Sequence, residues 1–178
     1  MKSESLFDLE TIQEQLTTLE DLLVKEFRAC QALQALTKDE RQALASGHIE
    51  ELTRLVERKE AQLDEMGDLE NKRRALVQEL NRSCNLQPDS ATLADLLGAL
   101  PPDPAGRLGR LAEGILTLLV DVRDMTHGNR AIASTALERA DAIQTFLLGL
   151  YQQQGDRRAT GEAPELTLPA VGGQLPRA

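Results

Sequence analysis

All seven prolines of this chain fall in two short windows, residues 88–104 and 164–176. Proline inside a helix removes a backbone donor and clashes with the preceding turn. Confining it this way leaves residues 1–87 and 105–163 free to form long helices. In both stretches apolar residues recur three and four apart, the spacing that lines up one helical face. Such a chain offers long apolar stripes to other helices and little from which to build a catalytic pocket.

The first helix is expected over about residues 5–44, where Leu9, Ile12, Leu16, Leu19, Leu23, Phe27, Cys30 and Leu33 form one stripe. Ala45-Ser46-Gly47-His48 breaks it, with Gly47 suited to the positive φ that ends a helix. A second helix is expected over about 49–82. Its seam of Ile49, Leu52, Val56, Lys59, Leu63, Met66, Glu70, Arg73, Val77 and Leu80 steps by three and four throughout, as heptads do. So short a connection predicts an antiparallel hairpin, with Leu16, Leu19 and Leu23 near Leu69, Val77 or Leu80. Pro88 stops the second helix, and Ser90 is the expected N-cap of a short helix near residues 91–99 carrying Leu93, Leu96, Leu97 and Leu100. Asp103 followed by Pro104 reads as N-cap and first-turn proline of a last helix reaching about Gln153. The expected fold is all-α: a long antiparallel hairpin, a short helix and a long C-terminal helix. Residues 1–153 then form a helical bundle domain, and the Gly- and Pro-rich residues 154–178 a disordered tail.

Aromatic residues make up 2% of the chain, with no Trp, so the core must be Leu, Ile, Val and Ala, which suits a slender bundle. A net charge of −9 repels phosphate backbones and argues against nucleic acid, leaving Lys72-Arg73-Arg74 as a solvated helix face. Cys30 and Cys84 form no CxxC and read as small apolar residues in a reducing compartment. No run of eighteen apolar residues is available to insert into a membrane, and a cytoplasmic location is expected. Phosphate-loop, GxSxG and dinucleotide signatures are absent, so neither an enzyme nor a cofactor is expected. Asp124-x-x-His127 has the spacing of metal ligands in bundles, but His48 lacks the carboxylate that a second pair would need, and no metal is expected.

Two groups of residues carry the functional expectations. Lys59, Arg73 and Asn129 are polar positions on otherwise apolar seams. Asn129 can fix helix register there, while Lys59 and Arg73 can lay their stems along the seam with their charges at its edge. Leu137, Ile143, Phe146, Leu147, Leu150 and Tyr151 make the last helix apolar on two adjacent faces. One face can pack inside while the other binds a client segment, as a helix does in a groove.

The turn and second helix, Ser46-Gly47-His48-Ile49-Glu50-Glu51-Leu52-Thr53-Arg54-Leu55-Val56-Glu57-Arg58-Lys59, continued by Leu63, Met66, Leu69-Glu70 and Arg73, resemble the FlgN family of flagellar export chaperones. Arg123-Asp124-Met125-Thr126-His127-Gly128-Asn129 resembles that family's N-x-x-N segment, with Thr126 in place of the first Asn. His48 stands where the family has an acidic cap, and Pro169 where many members carry a tail tyrosine. The resemblance implies a cytoplasmic type III export chaperone. It would bind an amphipathic segment of hook-associated, hook–filament junction proteins and keep them unassembled and export-competent. Contact with export gate components is a further implied partnership. Two competing readings are a scaffolding coiled coil that homodimerises through the second-helix heptads and a metal-binding bundle using Asp124 and His127.

Overall fold

The computed structural model describes residues 2–84, 86 and 92–160, with side chains from residue 10 to 154 within those ranges. Four helices follow in order: α1 (Lys2–Ser46), α2 (Ile49–Ser83), α3 (Leu93–Ala99) and α4 (Pro102–Thr160). The chain divides into two compact units, Met1–Ala133 and Ser134–Ala178, and α4 contributes to both.

Gly47 turns α1 into α2. Its φ is +69°, a conformation that costs glycine nothing. The Gly47 amide donates to the Leu44 carbonyl (3.3 Å) and the His48 amide to that of Ala43 (3.0 Å), so two orphaned helix-end carbonyls are satisfied in a Schellman arrangement. His48 follows as N-cap of α2 without a side-chain cap hydrogen bond, and Glu50 and Glu51 place negative charge in the first turn instead.

The antiparallel hairpin brings Leu19 and Leu23 of α1 against Val77 and Leu80 of α2, as the seam spacing requires. Leu96 of α3 and Leu108 and Ile115 of α4 complete the same core. Leu19, Leu23, Leu80, Leu96 and Leu108 are almost wholly buried, each contributing about 1.5–3 kcal/mol from desolvation. A smaller cluster of Leu36, Ala43 and Leu55 closes the hairpin near its turn. α4 lies along α1: a Cβ at Gly114 would stand 2.9 Å from the Phe27 ring, and Arg107 pairs with Glu20 at 3.3 Å.

Helix boundaries depart from expectation in three places. The N-cap of α3 is Thr92, not Ser90, which lies outside the described residues. Thr92 and Asp95 form a capping box: the Thr92 amide donates to Asp95 Oδ2 (2.7 Å) and the Asp95 amide to Thr92 Oγ1 (3.4 Å). The Thr92 backbone amide, then its hydroxyl, holds the Asp95 carboxyl below its ordinary value. The cap's contribution is thus complete above the ordinary carboxylate range and is lost as pH falls through the lowered value. Secondly, α4 starts at Pro102 and not behind Asp103. Pro102 needs no amide partner at the first helical position, and the Ala105 amide closes the first turn on the Pro101 carbonyl (3.1 Å). Lastly, α4 runs past Gln153 to Thr160, since the single Gly155 is too weak a breaker to stop it. The Pro169 segment lies outside the described residues.

Candidate functional site

Lys59, Arg73 and Asn129 each meet a glutamate of α1. Lys59 Nζ donates to Glu40 Oε2 (2.8 Å), and Arg73 Nε donates to both Glu26 oxygens (2.9 Å each). Glu26 and Glu40 are fourteen residues apart on α1, as Lys59 and Arg73 are on α2. Fourteen residues are two heptads, so both ion pairs fall in one antiparallel register on one face of the hairpin. The charges do not sit in solvent at the seam's edge: the Lys59 and Glu40 side chains are only 14% and 17% exposed.

Asn129 ties α4 into the same cluster. Its Nδ2 donates to Glu40 Oε2 (2.8 Å) and to the Thr37 carbonyl (2.9 Å). Its Oδ1 accepts from Arg41 Nε (3.0 Å), and Arg41 Nη2 also reaches the Met125 carbonyl (3.4 Å). Asn129 is 3% exposed, so α4 sliding by one turn would leave its buried amide unpaired. Glu40 is therefore the point where three helices meet. The sequence reading missed it, together with Glu26, Thr37 and Arg41.

This network changes what Gly128 does. On helix propensity alone, Gly128→Ala is expected to firm up α4 and tighten client binding. A Cβ at Gly128, however, would collide with Arg41 Nη2, the atom that reaches the Met125 carbonyl, and so shift the guanidinium from which Asn129 accepts. Each displaced hydrogen bond costs about 0.5–1.5 kcal/mol, which offsets or exceeds a propensity gain of about 1 kcal/mol. Gly128→Ala should thus fail to stabilise the protein in urea denaturation. Gly67→Ala on α2, with nothing within 4 Å of the new Cβ, should gain about 0.5–1 kcal/mol.

The second unit presents a different surface. Every described side chain from Ser134 to Gln154 is exposed. Leu137, Ile143, Phe146, Leu147, Leu150 and Tyr151 all lie on this part of α4, with Phe146 65% and Tyr151 71% exposed. Leu148 is exposed beside them and was not singled out; its signal was the three-residue step to Tyr151. At 3.6 residues per turn these side chains cover about half the helix circumference. Glu138 lies on the opposite arc, Asp141 borders the face beside Leu148, and Arg139 falls within it between Phe146 and Leu150, leaving an amphipathic helix whose largely apolar half is open within its own unit.

Asp124 pairs with the neighbouring Arg123 (3.4 Å), and the described residues contain no group of three or more His, Cys, Asp or Glu able to hold a metal ion. Cys30, buried, and Cys84, half-buried, are free thiols, and burial followed by the nearby Glu26 carboxylate pushes the Cys30 thiol up. No described helix is long and apolar enough to cross a membrane.

A family model described as FlgN protein matches residues 12–164. No curated protein and no solved structure matches the chain. The match takes in the hairpin, the glutamate-centred clamp and the open face of α4. The chain belongs to the FlgN family, the non-enzymatic, cytoplasmic flagellar export chaperones of hook-associated proteins.

Proposed function

We propose that this chaperone captures its hook-associated clients on the open face of α4 formed by Leu137, Ile143, Phe146, Leu147, Leu150 and Tyr151. The observation that carries this reading is the unbroken exposure of residues 134–154 along a helix that, Arg139 apart, is apolar on about half its circumference. Monomeric soluble proteins rarely leave so much contiguous apolar surface without a use for it. An amphipathic client helix laid on this face would bury its own assembly surface and stay unassembled until export.

The same exposure sets how binding is powered. A helix of this length without tertiary packing is only marginally stable in water. Client capture must then offset the cost of ordering it, about 1–2 kcal/mol for each backbone residue fixed. Amide hydrogen exchange of the free protein should therefore show residues 134–154 exchanging much faster than residues 49–82. Adding a purified hook-associated junction protein should slow the 134–154 segment most. Equal protection of both segments without client would count against coupled ordering, and no client-induced change at 134–154 would count against the site.

Delivery to export gate components follows from this reading as the step that empties the face. Homodimerisation through α2 is the second reading. It has one observation in its favour: Ile49, Val56 and Leu63 recur every seven residues and are all exposed.

A further inference from the structure

Within the first unit, α3 is a leucine-striped helix wedged between α2 and α4. Leu96 is fully buried in the core, and Leu97 lies 3.9 Å from where a Cβ on Gly109 of α4 would stand. Thr92 and Leu93 border a depression whose other wall is α2 from Glu70 to Gln78. Toward the hairpin turn the same interval between α2 and α4 continues unfilled, as two depressions of about 330 and 410 Å³ that share Leu63.

Cys30 and Leu33 of α1 contribute to its floor. Val56, Leu63 and Met66 line the α2 side, and Ile115, Leu119 and Val122 the α4 side. Val56, Leu63 and Leu119 remain 45%, 52% and 38% exposed, so this apolar channel faces solvent. From Val56 to Arg73 it extends about 25 Å at 1.5 Å per residue, the length of a helix of about 17 residues.

The charges around it are sorted. Lys59 and Arg73 are neutralised by Glu40 and Glu26. On the α2 side Glu60 lines the channel, and Asp64 lies one turn further on the same helix. On the α4 side Arg130 lines it.

We infer that this groove is a second protein-docking site, separate from the client face. Its occupant is an amphipathic helix of a partner protein, about 17 residues long. Its leucines repeat as α3's do, and it carries basic residues toward α2 and acidic residues toward α4. α3 supplies the internal template: Leu93, Leu96 and Leu97, spaced three and one apart, already seat a helix in the lower end of the channel. The sorted rim supplies the charge complementarity, which fixes orientation more than affinity.

The test uses the full chain and a synthetic 17-residue peptide as probe, with leucines at i, i+3, i+4 and i+7, lysines on one flank and glutamates on the other. Fluorescence anisotropy should show micromolar binding. Leu63→Glu should weaken it at least tenfold, and Glu60→Lys at least threefold, with circular dichroism unchanged because both positions are solvent-facing. Phe146→Gln should leave peptide binding intact. Peptide binding that ignores Leu63→Glu would overturn the proposal. So would a wild-type dimer in sedimentation that Leu63→Glu dissolves, since a second copy would then be the occupant. Loss of hook-associated protein binding in Leu63→Glu, with no loss in Phe146→Gln, would make the groove the client site and overturn its separateness.

Discussion

Glu40→Leu should lower the unfolding free energy by about 3 kcal/mol, far more than removal of an exposed carboxylate such as Glu51. The substitution strips the Lys59 ammonium of its carboxylate in a site where that side chain is only 14% exposed. It also leaves Asn129 Nδ2 with the Thr37 carbonyl alone among the partners described above. Breaking one side of a buried pair costs more than the pair contributes, because the stranded charge keeps its desolvation penalty. The double variant Glu40→Leu/Lys59→Met should therefore recover most of the loss, since both charges are gone and apolar volume replaces them. Glu51→Ala, which removes an exposed i, i+3 partner of Arg54 at 3.7 Å, should change stability by less than about 0.5 kcal/mol. Urea midpoints of the three variants check this. Equal losses in Glu40→Leu and Glu51→Ala would mean the three-helix clamp is solvated and weak.

The hairpin was legible because three independent signals agree: proline exclusion, the three-and-four spacing, and Gly47 at the only short break. The polar seam positions were legible for a similar reason, since Lys59, Arg73 and Asn129 each interrupt an apolar stripe. Their partners were not. α1 carries acids at Glu4, Asp8, Glu10, Glu14, Glu20, Asp21, Glu26, Asp39 and Glu40, and no local pattern marks two of them as facing inward. The usable signal was non-local: fourteen residues from Glu26 to Glu40 equal fourteen from Lys59 to Arg73. At α3, Ser90 and Thr92 are both capable caps, and Asp95 three residues after Thr92 decides between them as a capping-box partner. The groove between α2 and α4 had no sequence signature, because its walls come from residues some sixty positions apart and exist only once both helices lie on α1.

The second large effect is expected at the client face. Phe146 and Leu150 lie four residues apart and are both exposed, so they can be changed without opening a cavity in a buried core. Gln at both positions keeps helix propensity while removing apolar area. Each large apolar side chain desolvated by a partner is worth about 1.5–3 kcal/mol, so the pair accounts for about 4 kcal/mol of client binding. At about 1.4 kcal/mol per tenfold, that is a loss of several hundredfold. Against a client affinity near about 1 μM, which suits a carrier that must release its cargo, such a loss abolishes capture at working concentrations. The most direct measurement is a calorimetric titration of a purified hook-associated junction protein into wild type and into Phe146→Gln/Leu150→Gln. Wild type should bind with a clear heat at micromolar concentration. The variant, with the same urea midpoint and the same far-ultraviolet dichroism, should show no binding. An unchanged titration in a folded variant would contradict capture on the α4 face.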